Sequence, residues 1–277
     1  MQEESSAVRL LPGALGIAGP HAASGQQLDD LCGCHWLAIL LRAHGVDVDS
    51  EAVAVSAGTV LPTGDPRSSV PPGVEPNRGY RVALATTDRP GASGTSVPGL
   101  IEAAEALSDG RLVLVPLKAR WTGERVRTVL ELCRSNPDRA TVPVANVRTG
   151  RLWGSRLPLP DALAWLAGRE IEAPQPDWDV GHFVALAGTW DGPARSLVVV
   201  RDSYPTFGWD GHHLQPPEAL AAALERGDGR EGGVLLAVAG DDRAEVERAA
   251  KEAGFEIAAW DNGTPWPPAP DEGGADR

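Results

Sequence analysis

Four side chains in this sequence have the types and spacing that thiol chemistry needs: Cys32, His182, Asp202 and Gln26. A thiol becomes a strong nucleophile only as the thiolate, which a helix N-terminus and a neighbouring imidazolium both stabilise. An acid that holds the imidazole in one tautomer completes a base-plus-orienter pair. A side-chain amide and a backbone N–H give a tetrahedral intermediate the donors its oxyanion requires. Gln26 lies six positions before Cys32 and is the expected amide donor, with the Cys32 backbone N–H as its companion. Gln27 stands beside it and is the alternative amide.

Other nucleophiles and uses compete with this reading. Cys34 is a second thiol two residues on, within Cys-Gly-Cys-His-Trp, and lacks a glutamine six positions before it. Cys133 falls on the apolar face of a helix with Val126, Val129 and Leu130, which makes it a core residue. Cys32, Cys34 and His35 are cramped as metal ligands, with no second cluster to complete a zinc site, so no metal and no cofactor is expected. His212 and His213 sit in a Gly/Asp-rich stretch, read as a surface turn, and are reserve bases. Asp29 and Asp30 oppose thiolate formation unless they face solvent.

The elements that position these groups follow from hydrophobic pattern. Trp36 to Ala43 is apolar on nearly every side, the signature of a buried helix, with Cys32 at its start and Gly45 as its stop. Helices are expected at 50–57, 98–107, 160–167, 216–224 and 243–253, and a further one is capped by Thr122 and carries Val126 to Cys133. Strands are expected at 80–85, 112–117, 141–147, 183–187, 197–200, 234–238 and 255–260. Asp191-Gly192 is a hairpin signal. A three-residue loop of Asp191, Gly192 and Pro193 would set His182 directly opposite Asp202, at roughly 5 Å between Cβ atoms.

Bulk composition narrows the function. The chain has 277 residues and a net charge of -13, with no basic stripe to neutralise phosphates, so nucleic acid and anionic membranes are disfavoured as partners. No apolar run is long enough to span a bilayer, and no export signal is apparent. Three cysteines make no disulfide framework, so reduced thiols and a cytoplasmic location are expected.

Gln26-x5-Cys32-Gly33, the buried helix ending at Gly45, and a late Gly181-His182-Phe183-Val184 with Asp202 after the next strand together resemble papain-like cysteine peptidases. Within that group the pattern is most similar to bacteriocin-processing peptidases that remove leader peptides after a double glycine. A second point of similarity is Gly94-Thr95-Ser96-Val97-Pro98-Gly99-Leu100. The resemblance covers about Gln26 to Pro205. The chain departs from it in having no spanning segment, in Ser203-Tyr204 between the acid and Pro205, and in added sequence after Trp209.

The resemblance implies a papain-like α+β fold, with a buried helix carrying the nucleophile packed on an antiparallel sheet. The expected organisation is an N-terminal arm at 1–25, a peptidase domain at 26–260, and a flexible acidic tail at 261–277. A Gly/Pro-rich loop region at 58–99 and an insertion at 148–180 interrupt the domain. The implied activity is cleavage of a peptide or propeptide through an acyl-thioester on Cys32. The alternatives are acyl transfer or peptide cyclisation on the same fold, and a non-catalytic peptide-binding relative.

Overall fold

The structure is a computed structural model that describes residues 6–267. Its frame is one eight-stranded sheet in which every neighbouring pair is antiparallel. In chain order the strands are β1 (Ala7–Leu10), β4 (Leu112–Lys118), β5 (Val142–Arg148), β6 (Gly181–Asp191), β7 (Ser196–Arg201), β8 (His212–Gln215), β9 (Gly233–Ala239) and β10 (Glu256–Ile257). They lie side by side as β10-β4-β9-β5-β6-β7-β8, and β1 pairs with the far half of β6 beyond the end of β5. A separate parallel pair joins β2 (Val60–Pro62) to β3 (Ala85–Thr87). The fold is therefore α+β with a large antiparallel sheet.

Both faces of the sheet are covered, which is why its strands read as continuous apolar runs. Alternate residues of one strand enter different cores. Leu112 and Leu114 join Val144, Phe183 and Leu235 under α3 (Cys32–Ala43), α4 (Ser50–Ser56) and α5 (Val97–Ser108). Val113, Val115 and Leu117 join Val147, Val184 and Leu236 on the other side. There they meet α6 (Gly123–Ser135), α7 (Leu159–Leu166), α8 (Pro217–Glu225) and α9 (Arg243–Glu252). Asp49, Ser96 and Thr122 cap α4, α5 and α6 through their side chains.

Residues 7–24 form β1, α1 (Pro12–Gly16) and α2 (Ala18–Ser24), and Leu11 and Ile17 are buried. The expected arm is thus built into the sheet from Ala7 onward. At the other end, residues 261–267 pack against the start of α5, and the remainder of the expected tail lies outside the described residues.

The β6–β7 hairpin corrects the expected register. Its loop is Gly192–Arg195, closed by the Gly192 N–H on the Arg195 carbonyl at 2.9 Å, and not Asp191 to Pro193. Gly188 to Asp191 pair with Val199 to Ser196, but Leu186 and Ala185 pair with Val200 and Arg201, because a bulge falls between Leu186 and Gly188. Without the bulge the turn-side register would put Asp202 opposite Ala185, on the face His182 does not share. With it, the register continues to set Asp202 opposite Val184, two residues from His182 on the same face. Gly188 is required there because β1 runs close. A Cβ at that position would lie 2.2 Å from the Arg9 carbonyl oxygen.

Candidate functional site

Cys32 is the first residue of α3, half-buried, and no side chain caps the helix at Leu31. The helix docks on β6 through Gly33 and Trp36. A Cβ at Gly33 would come within 3.2 Å of the Phe183 ring, and the Trp36 indole donates to the Phe183 carbonyl at 3.0 Å. This close approach places Cys32 beside His182, the second residue of β6.

His182 is 1 % exposed and gives Nε2 to Asp202 Oδ1 at 3.1 Å. Cys32 adjoins the imidazole in the same cleft, on whose side Nδ1 remains. Burial pulls the His182 pKa down. The Asp202 charge, the Asp202 hydrogen bond and Cys32 together outweigh that and raise it to about 10. Burial likewise works against ionised Asp202, but the His182 charge and hydrogen bond dominate and hold the carboxyl below the ordinary range. The Tyr204 N–H supports the same Oδ1 at 3.0 Å, and His213 Nε2 lies 3.9 Å from Oδ2. Trp178 and Tyr204 shield the imidazole, with ring centroids at 5.3 and 5.9 Å from it.

The cleft holding Cys32 and His182 has a volume of about 330 Å³. Gln27 lines it and Gln26 does not, so the structure brings the second of the two glutamines to the thiol. Gln27 is buried, with its Oε1 accepting from Ser203 at 2.5 Å and its Nε2 donating to Tyr204 Oη at 3.2 Å. One N–H of that amide stays available. The backbone explains the choice: the Gln27 N–H bonds the Ser203 carbonyl at 3.3 Å, which pins it next to the residue after Asp202.

Several expectations are corrected. Asp29 and Asp30 do not face solvent. Asp29 is fully buried with Oδ2 accepting from the Asn77 N–H at 2.9 Å, and Asp30 meets Arg78 at 3.4 Å. Burial pushes both carboxyls above their usual range, which weakens the charge they set against a thiolate. His212 and His213 lie in β8 and not in a surface turn, and His213 is 3 % exposed.

Cys34 is fully buried and hydrogen-bonded to Thr59 and Thr95, each at 3.2 Å, and burial pushes its thiol up to about 11. Cys133 is buried in the opposite core, pushed up to about 12. Cys32 alone of the three thiols opens on the cleft. Of the Gly94–Leu100 stretch, Gly94 and Thr95 line the cleft and the rest starts α5, where the Ser96 hydroxyl accepts from the Gly99 N–H at 3.0 Å. Among the described residues no three His, Cys, Asp or Glu side chains group as metal ligands.

The sequence reading missed Asn146, Trp178, Arg226 and Arg230, which line the cleft from β5, the 148–180 segment and the turn after α8. Trp178 and Asn146 carried no local signal, because neither belongs to a motif. Arg226-Gly227-Asp228 did carry one, a charged residue in a turn otherwise made of small and acidic ones.

Among the described residues no helix is long and apolar enough to cross a membrane. A sequence-family model described as a family of unknown function (DUF6885) matches residues 11–261. No curated protein matches the chain.

Proposed function

The chain belongs to that family of unknown function, and we propose that it is a papain-like cysteine peptidase whose nucleophile is Cys32. The observation that carries the reading is that Cys32 and His182 line one open cleft, with His182 hydrogen-bonded to the buried Asp202 at 3.1 Å. In this mechanism His182 already holds the thiol proton, as the imidazolium that its raised pKa favours, and the sulfur attacks the carbonyl carbon of a peptide bond. The Gln27 amide and the Cys32 backbone N–H hold the oxyanion, each donor worth about 2.7–4 kcal/mol. Collapse breaks the C–N bond as His182 protonates the leaving amine, which leaves an acyl-thioester. A water deprotonated by His182 then attacks it, releasing the acid and restoring the thiol.

Asp202 stays ionised throughout and stabilises the imidazolium. The substrate is a peptide or propeptide laid along the cleft, with the leader of a ribosomally made peptide as the candidate from sequence resemblance. A free thiol is needed at Cys32, and all three cysteines are free, which supports work in the reducing cytosol.

The test is mass spectrometry after limited iodoacetamide treatment, together with cleavage of a mixed peptide library by wild type and Cys32→Ala. The expected result is labelling of Cys32 ahead of Cys34 and Cys133, with cleavage lost in the variant. Preferential labelling of Cys34, or full hydrolysis by Cys32→Ala, overturns the reading.

A further inference from the structure

The cleft has a second chemical feature, at the wall beside His182. Arg226 follows α8 with φ 63, a left-handed backbone conformation that non-glycine residues rarely adopt, and it is only 2 % exposed. A buried guanidinium needs carboxylate partners. Asp228 supplies both oxygens, at 3.1 and 2.9 Å, and Asn146 Oδ1 accepts from Nη1 at 3.4 Å. Arginine has five N–H donors. Among the described residues these three bonds leave one N–H on each terminal nitrogen. Both nitrogens lie against Gly181, at 3.0 and 3.3 Å from where a Cβ would stand. Glycine at 181 is what lets the guanidinium reach the cleft.

Two more arginines line the same cleft. Arg148 is held by Asp179 at 2.5 and 3.0 Å and lies 3.5 Å from Asp228. The Arg230 guanidinium donates to the Gly91 carbonyl at 2.9 Å and among the described residues has no carboxylate partner, although the Arg230 backbone N–H bonds Asp228 at 3.3 Å. Three guanidinium groups thus share two carboxylates, Asp179 and Asp228, and one positive charge is left over in a chain of net charge -13. Asp30, the cleft's own acidic lining residue, is paired with Arg78.

The position of this charge is informative. Arg226 abuts Gly181, the residue before His182, and Asn146 donates to the His182 carbonyl at 3.4 Å as well as accepting from Arg226. We propose that Arg226 and Arg230, with Asn146, form a subsite for a carboxylate, so that the preferred substrate carries Asp or Glu close to the bond that Cys32 attacks. This inference rests on the thiol-peptidase reading and adds the substrate class to it. Arginine suits the role because its planar fork binds a carboxylate through two parallel bonds.

The experiment uses peptidyl chloromethyl ketones, which alkylate a reactive thiol. An alanine host sequence carries Asp, Asn or Lys at each position in turn. Second-order inactivation rates are measured for wild type and for Arg230→Glu, with the alkylated residue located by mass spectrometry. The expected result is one position near the ketone where Asp reacts at least tenfold faster than Asn, and where Arg230→Glu reverses the order to favour Lys. Alkylation of Cys32 at rates that differ less than twofold among Asp, Asn and Lys at every position overturns the subsite and leaves the thiol reading standing. Alkylation confined to other residues overturns the thiol reading and the subsite with it. Circular dichroism of Arg230→Glu guards against misfolding. If that variant is unfolded, Arg230→Gln replaces it, with loss of the Asp preference as the expected result and its retention as the contrary one.

Discussion

His182 and Asp202 meet at 3.1 Å although the strands that carry them do not pair the two directly. The contact is diagonal, and it exists because the bulge at Ala187 restores the parity that a four-residue turn would break. Both groups are almost wholly buried, so their mutual charge dominates their chemistry. Replacing the acid by its amide, Asp202→Asn, keeps the shape and removes the charge. Burial then has less to oppose it, and the His182 pKa falls from about 10. Activity is expected to drop by at least about 10²-fold, the lower range for a positioned acid–base group. An NMR titration of the His182 ring in both proteins checks the pKa, and an unchanged titration contradicts the assignment.

The same coupling has a stability consequence with a definite sign. His182 has its pKa raised on folding, so its contribution is full below the unfolded value near 6.5 and is lost as pH rises through about 10. Cys32 is one of the groups that raise it. Cys32→Ala is therefore expected to lower the His182 pKa and to flatten the loss of stability between pH 7 and 10. Urea unfolding at a series of pH values reads this directly, and parallel curves for the two proteins would contradict it.

His35 makes the opposite pH argument. It is 3 % exposed, its Nε2 has no hydrogen-bond partner, and burial pushes its pKa down to about 3. The folded protein keeps it neutral while the unfolded chain binds a proton below about 6.5. Its contribution is full above that pH and is lost as pH falls toward 3, on the order of 5 kcal/mol in all. His35→Phe removes the proton site. The stability gap between variant and wild type is expected to shift in favour of the variant from pH 7 to pH 4. A gap that stays constant over that range rules out His35 as an acid-sensitive group.

The parts of this architecture that were legible in sequence are those set by local pattern. The α3 run from Trp36, the Thr122 cap of α6 and the continuous apolar strands β6 and β7 stand where hydrophobic period and capping chemistry put them. What stayed illegible depends on relations between distant segments. The bulge at Ala187 sits where β1 pairs beside Gly188; a glycine inside a strand marks such a place, but nothing local shows that a strand from the start of the chain lies against it. Gln27 displaces Gln26 because Ser203, 176 positions away, accepts from its backbone N–H and donates to its side-chain Oε1. His213 reads as a turn residue until β7 is there to pair with β8.

The glutamine exchange is itself testable. Gln27 lines the cleft, its amide held by Tyr204 and Ser203, whereas Gln26 is not among the residues lining it. Gln27→Ala is expected to lower kcat by about 10²–10³-fold, the range for removing one oxyanion donor. Gln26→Ala is expected to stay within a few-fold of wild type. Steady-state kinetics on any peptide cleaved in the library assay decides between them, and a larger loss for Gln26→Ala would return the role to that residue.

Gly33 separates packing from chemistry next to Cys32. A Cβ there would stand 3.0 Å from Leu100 Cδ1 and 3.2 Å from the Phe183 ring, tighter than ordinary contact. Alanine is otherwise the better helix former, by about 1 kcal/mol. The clash works against that gain, and overpacking of this kind costs about 1–3 kcal/mol. Gly33→Ala is therefore expected to lower stability by up to about 2 kcal/mol and to lift the start of α3 off β6. Because Cys32 is the preceding residue, its contact with His182 loosens, and iodoacetamide labelling of Cys32 slows more than stability alone explains. Equilibrium unfolding and labelling rates on the same variant check both effects. A variant that is more stable than wild type, with Cys32 labelled at the wild-type rate, would mean that Leu100 and Phe183 yield without moving the helix.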